Sequence, residues 1–392
     1  MKIAVLNSLY SPYNRGGAER VTETIVAGLK NLNHDVFVIT NGPWRGRQSL
    51  KPQIEVVNEI KVYRFYPLNL FSFININRQP KWLRYPWHLI DIFNWHSYFV
   101  IKEILRNEQP DLVLGHNLKG LGYLIPLAIK KSGIKKYFQT VHDVQLAVPS
   151  GLLIKGDEKR ADSWLNKIYQ LVCRRLFNSV SVIISPSKWL LDFYQQREFF
   201  TKAKKIVLTN PLPNLPAVII RPPKQGSGWR LLYVGQIQKA KGIIFLIETL
   251  KGLGSADGKD WQLDIVGDGT ALDEVKELTR NNPRFKISGW VNHQGLADKL
   301  LGADFLVVPS LCYENSPRVI SESLSYGLPV IGAAIGGIGE MIQDGVNGFL
   351  FTAGDSGDLQ KVISSASQQP LNLEPKTDLG LGKYLESIFG LI

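Results

Sequence analysis

The chain has 392 residues, of which 44% are hydrophobic and 20% are charged, with a net charge of +12. This length exceeds what one ordinary core fills and the composition is that of a globular protein, so we expect two domains and exclude disorder, fibres and solenoid repeats. The longest apolar runs fall well short of the roughly 20 residues that cross a bilayer, which excludes a membrane-spanning protein.

Short β-rich runs alternate with helix-period segments through the first half of the chain. This alternation is typical of a parallel sheet with crossover helices. Prolines recur between residues 210 and 223 and cannot sit in a central strand, so this stretch is the predicted linker. The predicted strands are 3–7, 36–40, 112–114, 137–141, 182–185 and 205–208, and the predicted helices are 18–32, about 91–105, and 118–131.

The same alternation restarts after the linker. The expected fold class is therefore α/β, with two doubly wound Rossmann-like domains facing across a cleft, where ligands bind at the strand ends. We expect one domain over 1–212, a second over 213–370, and a tail over 371–392 whose end suits a short helix. The predicted strands are 230–234, 262–266, 285–288, 305–309, 329–332 and 348–351, and the predicted helices are 242–251, 270–280, 295–301 and 317–326.

Positive charge is concentrated in the first half. Residues 1–215 hold 30 Lys and Arg against 15 Asp and Glu, whereas residues 216–392 hold 16 against 19. This asymmetry predicts an anionic partner, either a membrane surface or a diphosphate-bearing acceptor, with a well-solvated basic surface as the alternative. Nucleic acid is the weaker candidate, and we expect no such partner, because no recognised binding motif accompanies the charge.

Aromatic and basic residues alternate between residues 62 and 99. This composition suits an anionic bilayer interface, but rings on the helix expected at 91–105 must also fill a core, and the two explanations stand equal. The basic residues are Arg64, Arg78, Lys81 and Arg84, and the rings are Tyr63, Phe65, Tyr66, Phe71, Phe73, Trp82, Tyr85, Trp87, Phe93, Trp95, Tyr98 and Phe99.

Cysteine usage and the N-terminus bear on the compartment. Cys173 and Cys312 are the only cysteines and have no metal-type neighbours, so we expect two reduced, buried thiols. The first apolar run is too short for a signal peptide. We therefore expect a cytoplasmic protein, either free or held peripherally on the inner face of the plasma membrane.

Two carboxylates stand eight positions apart in the second half, on either side of an expected helix start. Ser316 is the expected N-cap and Pro317 the expected first helical residue. The amides after Pro317 would then carry the positive end of the helix dipole and form a diphosphate site. Glu314 in the loop and Glu322, on the order of 7 Å further along the axis, are natural acceptors for sugar and ribose hydroxyls. An ordinary loop acid and a solvated helix residue are the alternatives.

These glutamates match the paired-glutamate element of the retaining glycosyltransferases of family 4, the glycosyl transferase group 1 set with the GT-B fold. The likeness extends over about residues 1–355 and is strongest in the second half. It implies transfer of a sugar from a nucleotide with retention of anomeric configuration. It also implies that the domain over 1–212 binds the acceptor and that the domain over 213–370 binds the nucleotide sugar. The other matching segments are Ile287 to Val291, Ala303 to Ser310, Gly327 to Ile331, Gly336 to Glu340 and Asp344 to Gly348.

The resemblance also implies roles for residues of the first half. Gly16 and Gly17 resemble the family's glycine loop over the donor phosphates, where a side chain would block close approach of the backbone. Glu19 and Arg20 follow this loop and are assigned to the acceptor, although Glu19 alone is also explained as a first-turn acid. His142 resembles the family histidine that lies against the transferred sugar, and it is assigned to catalysis and to acceptor binding. A lone histidine is otherwise more often structural.

In the second half, Lys241 matches a family lysine that neutralises the leaving diphosphate, and it is assigned to catalysis with Glu314. Gln236 stands where the family commonly has arginine, so a neutral hydrogen bond replaces one positive contact, with Lys239 as a candidate for compensation. The other expected donor-binding residues are Asp268, Ser310, Asn315, Ser316, Arg318, Val319 and Glu322.

No Asp-x-Asp pair and no ligand-spaced His, Cys and Asp cluster occurs, so we expect neither a metal nor another cofactor. The expected reaction is hexose transfer from a nucleotide sugar, UDP-glucose being the first guess, to a lipid-linked or polysaccharide acceptor. One alternative is a sugar-nucleotide epimerase or phosphorylase with the same architecture. Another is a non-catalytic, membrane-associated scaffold, for which Gln236 is the only hint.

Overall fold

The computed structural model describes residues 1–14, 16–213, 228–253, 260–368, 371, 373 and 380–392. The chain divides into two compact units. The first comprises Met1–Leu152, Lys159–Pro213 and Leu381–Ile392, and the second comprises Leu153–Glu158 and Asn214–Gly380. The linker expected over residues 210–223 lies outside the described residues from position 214 onward.

The first unit is built on an eight-stranded sheet. Its strands are β1 (Lys2–Leu6), β2 (Asp35–Asn41), β3 (Gln53–Val57), β4 (Ile60–Phe65), β5 (Leu112–Gly115), β6 (Tyr137–Thr140), β7 (Val182–Ser185) and β8 (Lys204–Val207). The order is β3-β4-β2-β1-β5-β6-β7-β8, and all neighbours are parallel except β3 and β4. The central strands are almost wholly buried because helices cover both faces.

Helices of the first unit connect these strands. They are α1 (Gly17–Asn31), α2 (Arg84–Ile92), α3 (Trp95–Glu108), α4 (Ile125–Lys131), α5 (Glu158–Ala161), α6 (Trp164–Leu176) and α7 (Lys188–Gln195), α5 beginning in the second unit and continuing into the first. A last helix, Leu381–Phe389, also belongs to this unit and packs on α1. Its Tyr384, Leu385 and Ile388 are buried in the same apolar cluster as β1 and β5.

The second unit holds a six-stranded parallel sheet. Its elements in chain order are β9 (Trp229–Val234), α8 (Ile243–Gly252), β10 (Trp261–Val266), α9 (Leu272–Thr279), β11 (Phe285–Gly289), α10 (His293–Gly302), β12 (Phe305–Val308), α11 (Arg318–Ser325), β13 (Val330–Ala333), α12 (Ile338–Met341), β14 (Gly348–Phe351) and α13 (Ser356–Gln368). The strand order is β11-β10-β9-β12-β13-β14. The order reverses between β9 and β12, the place where doubly wound sheets bind ligands outside the strand ends. The terminal helix Leu381–Phe389 is numbered α14.

The two α/β sheets, which are parallel except at β3, confirm the expected fold class. The largest differences from expectation are in two helices of the first unit. The helix predicted over 118–131 begins only at Ile125, because Gly120 and Gly122 adopt left-handed φ angles of 92° and 117°. The buried Asp91 carboxylate accepts a hydrogen bond from the Gly120 amide at 2.9 Å and holds this turn. The helix predicted over 91–105 is split, since Asn94 caps α3 by accepting from the Ser97 amide at 2.9 Å.

The aromatic segment over residues 62–99 is divided between the core and the surface of the first unit. Five rings are buried in the first unit: Tyr63, Phe65, Tyr66, Trp87 and Tyr98. Five others are exposed: Trp82, Tyr85, Phe93, Trp95 and Phe99. Arg64 is not part of the basic surface, because its guanidinium is buried in an ion pair with Glu55 at 2.9 Å.

Both cysteines are free and buried. Burial raises the pKa of the Cys173 thiol to about 12. Among the described residues, every helix is too short or too polar to serve as a bilayer span.

Candidate functional site

An ion pair lies beside the ends of β9 and β12, at the place where the order of the second sheet reverses. Lys241 Nζ donates to Glu314 Oε2 at 2.6 Å, and both side chains are more than two-thirds buried. Burial disfavours the ammonium, but the facing Glu314 carboxylate and the nearby Cys312 outweigh it, so the pKa of Lys241 is raised. Lys241 is therefore a fixed positive charge at this sheet edge.

Two glycines let the surrounding loops approach closely enough to place this pair. Gly242 follows Lys241 with a φ of 76°, and a Cβ there would stand 1.8 Å from the Pro309 carbonyl oxygen. Gly336 has a φ of 59°, and a Cβ there would stand 2.4 Å from the Glu314 carbonyl oxygen. That same oxygen accepts from the Gly337 amide at 2.8 Å. The backbone of Glu314 is thus fixed by contacts that only glycine permits.

The helix that follows Glu314 begins one residue later than expected. Pro317 occupies the N-cap position with an extended ψ of 116°, and α11 starts at Arg318. The prediction that Ser316 caps this helix is wrong, since Ser316 Oγ lies 3.8 Å from Met341 Sδ and no side chain caps α11. The helix end nevertheless follows directly after the loop that carries Glu314, as the diphosphate hypothesis requires.

Glu322 lies one turn into α11 and is oriented by its own helix. Arg318 Nη2 donates to Glu322 Oε1 at 3.1 Å, an i,i+4 ion pair between largely buried side chains. Of the remaining residues expected here, Asn315 is buried and Val319 packs partly against the core.

The other expected donor residues lie in the loops that follow β9, β10 and β12. Gln236 is exposed at the end of β9, and its carbonyl accepts from Tyr233 Oη at 2.8 Å. The ammonium of Lys239, the candidate for compensation, is exposed and pairs with Glu274 at 2.8 Å. Asp268 accepts from the Gly269 amide at 2.7 Å in the loop after β10. Ser310 is fully buried, with its hydroxyl donating to the Cys312 carbonyl at 3.2 Å.

The first unit brings its predicted residues to the ends of β1 and β6. Gly16 is the N-cap of α1, and a Cβ there would lie 3.2 Å from Glu19 Oε2. Glu19 is buried, whereas Arg20 is exposed. Burial raises the pKa of Asp143 to about 6, and the charge on Glu19 adds to the rise while the Gln145 amide and Lys119 oppose it. Glu19 therefore lies near the residue that follows His142.

His142 has a histidine partner that the sequence analysis missed. His116 Nδ1 and His142 Nε2 are 3.1 Å apart, and the rings stack with centroids 5.3 Å apart. Burial lowers the pKa of His142 to about 4, and burial together with the neighbouring His142 lowers the pKa of His116 well below its usual value, so both are neutral at pH 7. His116 follows β5 directly and His142 lies two residues beyond the end of β6. The two strands are parallel neighbours, which brings their carboxyl ends together; the sequence shows a histidine after each predicted strand but not that the strands are adjacent.

No group of three or more His, Cys, Asp or Glu side chains suited to a metal ion occurs among the residues described in the two units.

Comparison with known proteins bears on the class of this molecule. Residues 228–369 match the glycosyl transferases group 1 family, and residues 15–212 match glycosyltransferase family 4. An uncharacterised 42.6 kDa protein of the Klebsiella pneumoniae cps region is 24% identical over 350 residues, which cover 87% of each chain. The lipopolysaccharide 1,6-galactosyltransferase of Salmonella typhimurium is 30% identical over 181 residues, 44% of this chain and 49% of the relative.

Solved structures share the whole architecture. The lipopolysaccharide outer core galactosyltransferase WaaB in its apo form superposes with a TM-score of 0.67 at 19% identity and covers all of both chains. Anabaena HepE in complex with UDP gives a TM-score of 0.70 at 18% identity, over 100% of this chain and 99% of that one. The two parallel α/β sheets are thus those of a GT-B glycosyltransferase.

The chain belongs to glycosyltransferase family 4, since the family's pattern covers just over half of it. The resemblance drawn from the glutamate pair is confirmed at the level of family and fold.

Proposed function

We propose that this glycosyltransferase moves a hexose from a UDP-hexose, UDP-glucose being the first candidate, to a lipid-linked or polysaccharide acceptor with retention of configuration and without a metal. The Lys241–Glu314 ion pair beside the start of α11 is the observation that carries the proposal. The relatives support it in part, because HepE is solved with UDP and the Salmonella relative is a galactosyltransferase acting on lipopolysaccharide.

Leaving-group stabilisation falls to the second unit. Lys241 remains charged and, with the amides at the start of α11, faces the negative charge that develops on the departing phosphate. The acceptor oxygen bonds to the anomeric carbon as the bond from that carbon to the phosphate oxygen breaks. The acceptor proton passes to the departing phosphate, so the reaction needs no separate protein base.

The two glutamates hold the sugars at either end of the diphosphate. Glu314 accepts hydrogen bonds from hydroxyls of the transferred hexose, since its backbone is fixed and its carboxylate is already oriented by Lys241. Glu322 accepts from the ribose hydroxyls, with one oxygen engaged by Arg318 and the other presented to the ligand.

In the first unit, Gly16 and Gly17 approach the donor phosphates, and Glu19 and Arg20 contact the acceptor. His142 acts as a neutral hydrogen-bonding group toward the transferred sugar. It cannot serve as a general acid near pH 7, because burial keeps its imidazole unprotonated there.

The exposed rings of α2 and α3 are proposed to meet an anionic membrane that presents the acceptor. Tyr85, Trp95 and Phe99 expose more than half of their surface in a half of the chain that carries a net charge of +15. In this proposal the enzyme is held peripherally on the inner face of the plasma membrane. Sedimentation with anionic vesicles tests this, with Phe99→Ser and Trp95→Ser expected to reduce binding. Equal sedimentation of these variants and the wild type would contradict it.

A thermal-shift screen of UDP-, GDP- and ADP-hexoses tests the donor, because a ligand selective for the native state raises the melting temperature. GDP-mannose belongs in the screen, since a GDP-mannose-dependent mannosyltransferase of Corynebacterium glutamicum is 26% identical over 283 residues. Proton NMR of the product then reports its anomeric configuration, and transfer in EDTA tests the independence from metal. An inverted anomer would refute the proposed chemistry. Sugar-nucleotide turnover without acceptor would favour the epimerase instead.

A further inference from the structure

A short segment from the first half of the sequence is built into the second unit. Residues 153–158, which we name the clasp, belong to the second unit, whereas the residues on either side of them belong to the first. The clasp forms an isolated antiparallel bridge, in which Ile154 pairs with Cys312. The chain therefore leaves the first unit and returns to it within six residues in order to make this contact.

The clasp binds the residues just before Glu314 by backbone hydrogen bonds. The Tyr313 amide donates to the Leu153 carbonyl at 2.9 Å, and the Lys155 amide donates to the Leu311 carbonyl at 2.9 Å. Two side chains add to this pairing. Tyr313 Oη donates to Glu158 Oε1 at 2.8 Å, and Lys155 Nζ donates to the Ala353 carbonyl.

Residues 311–313 also form a hydrogen bond with the turn that carries Lys241. The Leu311 amide donates to the Ala240 carbonyl at 3.0 Å, next to Lys241. Residues 311–313 thus lie between the Lys241 turn and the clasp, and Glu314 follows them directly. Removing the clasp would leave the Leu311 carbonyl and the Tyr313 amide without these partners and would free one side of the loop.

We propose that the clasp is a positioning element for Glu314, with the Lys155 amide and the Tyr313 hydroxyl as its principal contacts. The inference rests on the proposed role of Glu314 at the donor sugar. Its consequence is that the Glu314 carboxylate is held in place by a segment that is distant from it in sequence.

The turn within the clasp offers a selective way to test this. The Asp157 amide donates to the Ile154 carbonyl at 3.0 Å, and Gly156 has a φ of 89°, the pattern of a type II turn with Lys155 at its second position. Proline is favoured there, and the extended Ile154 before it is compatible with a following proline. Lys155→Pro therefore keeps the turn but removes the amide that donates to Leu311. Lys155→Ala removes the side chain beyond Cβ, including the ammonium, but keeps the backbone amide, and it is the matched control.

Amide hydrogen exchange and donor kinetics are measured on the full chain. We expect the Tyr313 amide to exchange about five- to tenfold faster in Lys155→Pro than in Lys155→Ala, as for the loss of about one hydrogen bond. The KM for the donor should rise and kcat should fall by similar factors. Tyr313→Phe removes the hydroxyl that donates to Glu158 but leaves the backbone pairing intact. It should raise the KM for the donor less than Lys155→Pro does, with little change in melting temperature.

Two results would overturn the inference: unchanged exchange at Tyr313 in Lys155→Pro, or faster exchange with unchanged KM and kcat. A purely structural clasp would lower the melting temperature and leave both kinetic constants as in Lys155→Ala. Failure of the proposed function has a different signature, because the wild type itself would then bind no nucleotide sugar. In that case two measurements on Lys155→Pro still test whether the clasp positions Glu314: the exchange rate of the Tyr313 amide and the Lys241 Nζ resonance, which reports the ion pair with Glu314. A shift in both supports the inference, and no change in either contradicts it.

Discussion

Replacing Gly336 by alanine should displace Glu314 without touching its side chain. At a φ of 59°, alanine costs about 1–2 kcal/mol because its Cβ crowds the carbonyl oxygen. The new Cβ would also lie 2.4 Å from the Glu314 carbonyl, and real contacts of this kind stay beyond 3.0 Å, so that oxygen must move by at least about 0.6 Å. A displacement approaching 1 Å at a reacting centre costs up to about a hundredfold in rate.

Gly345→Ala is the matched control for this experiment. Gly345 has a φ of 70°, but a Cβ there meets nothing within 4 Å. Both variants should therefore lose about 1–2 kcal/mol of unfolding free energy in urea from backbone strain, with a further loss from the steric contact in Gly336→Ala only. Transfer of the hexose should fall by about tenfold or more in Gly336→Ala and remain near the wild-type rate in Gly345→Ala. Equal activity in the two variants would show that the position of the Glu314 backbone does not matter.

Three further perturbations test other parts of the structure. Glu314→Gln should lower the pKa of Lys241, since burial then acts without its main opposing charge, and should abolish transfer; NMR of the lysine Nζ and an activity assay check both. The pKa of His142 is lowered from about 6.5 to about 4 in the folded protein. Between these two values the unfolded state binds more protons than the folded state. The stability that the neutral His142 contributes is therefore complete above pH 6.5 and is lost as the pH falls towards 4. Relative to His142→Gln, the wild type should lose about 3 kcal/mol over that range in denaturation experiments, and a constant difference would contradict the shift. Gly28→Ala should weaken the packing of α14 on α1 despite the better helix propensity of alanine, because its Cβ would lie 2.5 Å from Leu381 Cδ2 and 2.9 Å from Leu385 Cδ1, and faster exchange of the Leu385 amide would report it.

Much of the second unit could be predicted because its signals are local. The apolar runs of its strands and the spacing of Glu314 and Glu322 are visible in the sequence, and the structure places both residues around the start of α11. The cap of that helix was mispredicted, since a serine side chain offers its hydroxyl to any near partner and Met341 is the one it meets.

The remaining features depend on contacts distant in sequence. The pairing of His116 with His142 follows from the adjacency of β5 and β6, which a single sequence does not specify. The clasp carries no hydrophobic period and only one turn signal, at Gly156, so nothing in residues 153–158 indicates the partner at Cys312. The split between α2 and α3 was likewise hidden, because Asn94 stands within a continuous helical pattern.

The docking of α14 on α1 makes the second unit an insertion within the first. Chimaeras that exchange donor specificity between relatives therefore cannot be made with a single crossover near residue 213. The exchanged piece must end before Leu381, so that α14 stays with the first unit on which it packs. The six residues of the clasp must be exchanged with it, because they belong to the second unit.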